Sequence, residues 1–139
     1  MSALYSTQAT ALGGRVGSVA SADGHLRVEL SQPRALGGAG GEGTNPEQLV
    51  AAALAACLLD TIRQVGATEG IAVAHDSNVT AAVEMAAEAN APQPLRFSLS
   101  VDLPGIDPEI ASRIVTTAQG RCPLSLSLRG RVDLRIWAG

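Results

Sequence analysis

Aromatic residues are almost missing from this 139-residue chain, which has one Trp, one Tyr and one Phe. Its core must be assembled from Ala, Val, Leu and Ile, and too few rings exist for the base stacking that grips single-stranded nucleic acid. Lysine is absent, since all ten basic residues are Arg; this excludes Schiff-base chemistry and a lysine-type phosphate cradle. A net charge of −3 and a pI near 5.3 provide no cationic footprint for a phosphate backbone. Long apolar runs are also lacking. The longest, Leu49 to Leu59, is rich in Ala and too short to span a bilayer. The start, Met1 to Tyr5, has neither the basic residues nor the apolar stretch of a signal peptide. The expectation is a cytoplasmic protein with no nucleic-acid and no membrane partner.

What is present is ordinary for one packed globule. Hydrophobic residues make up 46% and charged ones 17%, too apolar for a disordered chain, and no linker divides residues 1–139, so a single domain is expected. Leu4 to Thr10, Arg15 to Ala20 and Leu26 to Leu30 alternate as short strands, the last two separated by the turn dipeptide Asp23-Gly24. Gly37 to Gly43 is too glycine-rich for a regular element. Asn45-Pro46-Glu47-Gln48 is a dense helix start: an N-cap, a proline at N1, a carboxylate for the positive end of the dipole, and a capping-box partner. The helix it opens is apolar almost all round as far as Asp60, which predicts a buried central helix ending near Gly66. Asn78 to Met85 and Leu95 to Leu103 alternate again, with Phe97, Leu99 and Val101 on one face. Asp107-Pro108-Glu109 opens a second helix through about Gln119, and Arg129 to Trp137 closes the chain as a strand with Val132, Leu134 and Ile136 on one side. The order β-β-β-α-β-β-α-β predicts an α+β fold with antiparallel sheet around a long buried helix.

Two cysteines in a reducing compartment are either small core fillers or working thiols. Cys57 sits amid Ala55, Ala56, Leu58 and Leu59, where a small filler belongs. Cys122 precedes Pro123, which biases it out of helical geometry near the end of the second helix. As a pair, one per helix, they suit a reversible disulfide between an attacking and a resolving thiol. His25 and His75 fall on surface turns or strand starts rather than at ligand spacing, and there is no C-x-x-C, so no metal is expected. A thiol in an apolar helix has a raised pKa and is a poor nucleophile unless a cation stands beside it. Arg15, flanked by Gly13-Gly14 and Gly17, lies in a backbone able to bend close to another element. Glu47 would orient its guanidinium, or else serve only to compensate the helix dipole.

Gly37-Gly38-Ala39-Gly40-Gly41 running into Thr44-Asn45-Pro46-Glu47-Gln48-Leu49, then Ala-Ala-Cys57 and Cys122-Pro123, closely resembles the organic hydroperoxide resistance branch of the Ohr/OsmC family. The resemblance extends to Leu4-Tyr5 and Gly13-Gly14-Arg15 and so covers nearly the whole chain. It implies an OsmC-like fold, an intertwined homodimer with its site at the interface, and a thiol peroxidase that needs no cofactor. By motif, Cys57 is the peroxidatic cysteine, Cys122 the resolving one, and Arg15 and Glu47 the polar pair. The implied substrate is an organic hydroperoxide and the implied reductant a dithiol of the dihydrolipoyl type. Relatives often carry His three residues before the second cysteine, where this chain has Gln119, and Tyr after Cys-Pro, where it has Leu124. The aromatic neighbours of the first cysteine are here Ala53, Leu54 and Leu58. An aliphatic wall of this kind favours alkyl or fatty-acyl hydroperoxides over hydrogen peroxide.

Glu47 and Cys57 are ten residues apart, so one straight helix separates them by ~15 Å along its axis. Either the helix breaks between them or Glu47 serves the site of a partner subunit, and the second is favoured. The competing readings are an OsmC-branch peroxidase of broader substrate use, and a non-enzymatic redox-sensing or ligand-binding module of the same fold.

Overall fold

The computed structural model describes residues 2–85, 94–129 and 133–138. Contacts divide the chain into two compact units, Met1–Leu49 and Val50–Gly139.

The first unit is an antiparallel three-stranded sheet in the order β1-β2-β3, with β1 at Ala9–Leu12, β2 at Gly17–Ser21 and β3 at Arg27–Leu30. The expected first strand begins later than its alternation suggested: Ser2 to Gln8 stay exposed and outside the ladder, which instead runs on to Leu12 opposite Ser18. Between β1 and β2 the chain turns at Gly13 and Gly14, both with positive φ, where a side chain at Gly13 would press on the Val16 carbonyl. That tight turn carries Arg15. Asp23-Gly24 makes the second turn as expected, with the Asp23 carboxylate accepting from the Ser21 hydroxyl at 2.6 Å and the His25 amide at 3.0 Å. A short 3-10 turn, Arg34–Leu36, follows, and Thr44 then bridges back to Leu30. Leu30 alone is a buried hydrophobic among the described residues of this unit, while Leu4, Tyr5, Leu12 and Val16 are exposed.

A 23-residue helix, α1, runs unbroken from Pro46 to Thr68, two residues past the expected stop at Gly66. Its start is as the sequence predicts in one respect: the Asn45 side chain accepts the Gln48 amide at 2.8 Å. The second half of the capping box is different, because the Gln48 side chain is engaged by the Thr44 hydroxyl at 2.7 Å. By length and composition α1 could cross a membrane. Its Leu54, Leu58, Ile62 and Val65 instead form a buried stripe at helical spacing, and Ala52, Ala53 and Ala56 are exposed on the remaining surface of the chain.

In the second unit that stripe shares one core with Phe97, Leu99 and Val101 of the strand Leu95–Asp102 and with Ala111, Ile114, Val115 and Ala118 of the helix Pro108–Gln119. Strand β4 (Asn78–Met85) pairs antiparallel with β5 (Leu95–Asp102), and β5 pairs in parallel with β6 (Asp133–Ala138). Helix α2 (Pro108–Gln119) opens on Asp107, whose side chain accepts the Glu109 amide at 2.9 Å, and closes at Gly120. A further short helix, α3 (Pro123–Leu128), lies just before the last strand expected from Arg129, in a segment to which the sequence assigned no element. Pro123 supplies its first residue, a position where the missing N–H costs nothing. The expectation for Val132 lies outside the described residues. Among the described residues the architecture is α+β, two three-stranded sheets and three α-helices.

Candidate functional site

Each of the four residues singled out by sequence finds a partner, and they do so as two pairs. The first pair lies within the first unit. Arg15 donates through Nη2 to Glu47 Oε1 at 2.6 Å and through Nη1 to Oε2 at 3.0 Å, a two-pronged fork that fixes the guanidinium plane. The Glu47 side chain is 18% exposed and that of Arg15 36%, so the pair is partly shielded from solvent. The guanidinium hydrogen bonds hold the Glu47 carboxyl below the usual carboxylate range despite partial burial, and the same bonds raise Arg15 above its ordinary value. Of the two roles open to Glu47, orienting Arg15 is thus realised in the geometry, and its first-turn position on α1 serves the dipole as well.

The second pair is the cysteines. Cys57 projects from the middle of α1, half-buried, while Cys122 caps α3 in an extended conformation, φ −65° and ψ 117°, with no exposed surface. The backbone bias imposed by Pro123 is what the sequence anticipated. Their sulfurs stand 3.2 Å apart as free thiols in hydrogen-bonding contact. A disulfide needs ~2.05 Å, so a small side-chain adjustment separates the dithiol from a bridge.

The two sulfurs are electrostatically unequal. Burial pushes the Cys57 thiol up; the Leu124 amide counters this, and the Cys122 sulfur and the Asp60 carboxylate add to the rise. Burial acts on Cys122 in the same direction but is outweighed there by the Ser125 hydroxyl and amide, the Cys57 thiol and the Leu124 amide, leaving its pKa lowered. Within its own unit, then, Cys57 has the raised pKa expected of a thiol on an apolar helix.

Cys57 opens into a cleft of about 280 Å³ lined by Asp60, Thr61, Gln64, Val65, Thr68, Arg121 and Pro123. This lining is more polar than the aliphatic wall expected from sequence. The cause is helical spacing: positions 57, 60, 61, 64 and 68 share the face of α1 on which its apolar run ends. Asp60 is held by the Gln64 amide at 2.7 Å, and Thr61 returns its hydroxyl to the Cys57 carbonyl at 3.0 Å. Asp60, Arg121 and Ser125 were missed by sequence reasoning. The signals available were Asp60 three residues after Cys57 and Arg121 immediately before Cys122. His25 is exposed and paired with Asp23 at 3.2 Å, and His75 is exposed.

The α+β chain thus presents two facing thiols, one lining a cleft and one without exposed surface. The chain is a member of the OsmC-like protein family, whose model matches residues 38–136. It is 38% identical over 137 residues to the organic hydroperoxide resistance protein of Xanthomonas axonopodis pv. citri, an alignment spanning 96% of this chain and 93% of that one. The crystal structure of an organic hydroperoxide resistance protein from Legionella pneumophila superposes with a TM-score of 0.92 at 39% identity, covering 99% of each chain. That of OhrB from Bacillus subtilis gives 0.88 at 34% identity, covering 99% of this chain and all of the other.

Proposed function

We propose that this protein is a cysteine-based peroxidase that reduces organic hydroperoxides, alkyl or fatty-acyl, to alcohols. The observation that carries the reading is the 3.2 Å contact between a half-exposed Cys57 and a buried Cys122, and the names of the relatives support it. The Cys57 thiolate attacks the distal peroxide oxygen and the alcohol departs. The sulfenic acid left on Cys57 is the reversible rung of cysteine oxidation. Cys122 condenses with it, water leaves, and the Cys57–Cys122 disulfide closes before a second peroxide can drive the sulfur to sulfinic acid. A dithiol of the lipoyl type reopens the bridge by exchange. Ala53, one turn before Cys57 on the same face of α1 and exposed, leaves space for an alkyl chain beside the thiol.

Arg15 is the cation in this reading. It stabilises the Cys57 thiolate and the charge developing on the leaving oxygen, and Glu47 keeps its fork in plane. The continuity of α1 supports the reading in which the pair serves the Cys57 of a second copy over one in which the helix breaks between Glu47 and Cys57. The exposed alanine face of α1 and the exposed Leu12 and Val16 fit burial in such a homodimer. Residues 1–139 act as one domain, in the cytoplasm, without membrane or nucleic acid.

Mass spectrometry after one equivalent of cumene hydroperoxide tests the cycle. The expected product is ~2 Da lighter, the mass of two hydrogens, with the loss confined to peptides holding Cys57 and Cys122. Cys57→Ser must abolish peroxide consumption, and undiminished turnover in that variant refutes the reading. Cumene hydroperoxide must also outcompete hydrogen peroxide; the reverse preference indicates the broader-substrate branch.

A further inference from the structure

The hydroxyl of Ser125 is an anomaly of the second unit. The residue is 2% exposed, and its Oγ has no hydrogen-bond partner among the described residues. A buried hydroxyl left unsatisfied is costly, and one that persists beside a redox pair calls for an explanation. Ser125 lies one turn after Cys122 on α3 and acts on that sulfur, favouring its ionised form. A buried hydroxyl without a partner, one turn from the sulfur, is a donor available to negative charge that develops there.

The two sulfurs are also unequally accessible. Cys57 lines the cleft with Asp60, Gln64 and Arg121, whereas Cys122 has no exposed surface. Thiol–disulfide exchange runs with attacking, central and leaving sulfurs close to a line, and a leaving thiol of lower pKa departs faster. An attacker arriving through the cleft meets Cys57, which lines it, and not the buried Cys122.

We propose that Ser125 is a positioning residue that sets the direction of disulfide reopening: the reductant attacks Cys57 through the cleft, and Cys122 leaves as the thiolate that Ser125 receives. This rests on the reading of the site as a reversible dithiol. One thiolate of the incoming dithiol bonds to Cys57 Sγ, the Cys57–Cys122 bond breaks, and its electron pair goes to Cys122. The second thiol of the reductant, after losing its proton, then attacks its own partner sulfur. That releases Cys57 as thiolate and leaves the reductant as a disulfide. Two electrons pass to the protein, and the two protons lost by the dithiol end on the two cysteines.

The test starts from the protein oxidised with diamide, so that it does not depend on peroxide. Brief exposure to 2-mercaptoethanol, quenching with N-ethylmaleimide and peptide mapping must find the mercaptoethanol adduct on Cys57 and the maleimide on Cys122. The opposite distribution, or a protein in which diamide forms no bridge, overturns the proposal. Ser125→Ala removes an unsatisfied buried group and should leave folding unharmed or improved. It must nevertheless slow reopening by dithiothreitol roughly three- to tenfold and move the pH profile of Cys122 alkylation upward in a Cys57→Ser background. Wild-type reopening with an unchanged profile overturns it. Failure of the untreated protein to consume cumene hydroperoxide is scored separately and refutes only the peroxidase reading.

Discussion

Closing the Cys57–Cys122 bridge should stabilise the fold strongly, and the size of the effect follows from the chain. The two residues are 65 apart in sequence. A cross-link over a loop of that length removes about 14.5 cal/mol/K of entropy from the unfolded ensemble, or about 4 kcal/mol at 25 °C. For a chain of this size, a shift of ~3 °C in Tm per kcal/mol gives an upper bound of roughly 12 °C. Strain subtracts from this, since the sulfurs must close from 3.2 Å to bonding distance. Both cysteines lie in the second unit, where α1, β5 and α2 share one core, so the movement falls on side chains more than on backbone. The expected rise on oxidation is therefore about 5–12 °C. Differential scanning fluorimetry of the dithiothreitol-reduced and diamide-oxidised protein, at one protein concentration, measures it. An oxidised form that melts at or below the reduced form refutes the reasoning, because the native geometry would then resist the bridge that the proposed cycle requires.

Glu47→Gln keeps the shape of its side chain but replaces a charge-assisted fork with a weaker contact. Because the folded-state pKa of Glu47 is lowered, its contribution is fully present above the unfolded carboxylate value and is lost as pH falls through the folded one. The stability gap between wild type and variant should hold at about 1 kcal/mol above pH ~5, discounted for the exposure of Arg15, and close in stronger acid. Urea unfolding at stepped pH reads this, and a gap that grows on acidification contradicts it. Asp60→Asn removes a carboxylate that, after burial, contributes to the high pKa of Cys57. Iodoacetamide labelling of Cys57 in a Cys122→Ser background should then proceed at lower pH, most visibly at low salt, and an unchanged labelling curve counts against that assignment.

Much of the fold was legible because its signals are local. Cap, proline and carboxylate at 45–47 and again at 107–109 mark both long helices, and alternation locates β4 and β5 at Asn78–Met85 and Leu95–Asp102. The short α3 escaped because Pro123-Leu124-Ser125-Leu126-Ser127-Leu128 alternates like a strand. Tertiary packing of Ser125 and the Leu126 amide bond to the Cys122 carbonyl override that period. The first strand was misplaced for a related reason: alternation at Leu4 to Thr10 exists, but hydrogen-bonded register to β2 decides where a strand begins. At the site, residue types and motif were enough to pair Arg15 with Glu47 and Cys57 with Cys122. The cleft was not legible, because its polarity depends on which side of α1 stays uncovered beside Pro123.

For the proposed cycle, the continuity of α1 sets the spacing that matters. Glu47 and Cys57 are ten residues apart on α1, ~15 Å along the axis. That exceeds the Debye length of ~8 Å at physiological salt, so charge delivered at the start of the helix does little for a thiol in its middle. If the guanidinium fork acts across a dimer instead, the defects of two inactive proteins are complementary. Arg15→Ala leaves Cys57 intact without its cation, and Cys57→Ser leaves the cation intact without its thiol. After subunit exchange, half of the dimers are mixed, and each mixed dimer holds one site with both a wild-type Cys57 and a wild-type Arg15 from the other copy. A mixture of equal parts should therefore recover about a quarter of wild-type peroxidase activity by random pairing of protomers. Action within one chain predicts none, since neither variant then carries both groups. Mixing the two purified proteins, following peroxide loss before and after exchange, and confirming mixed dimers by native mass spectrometry decides between them. Mixed dimers without recovered turnover would place the cation and the thiol in the same copy.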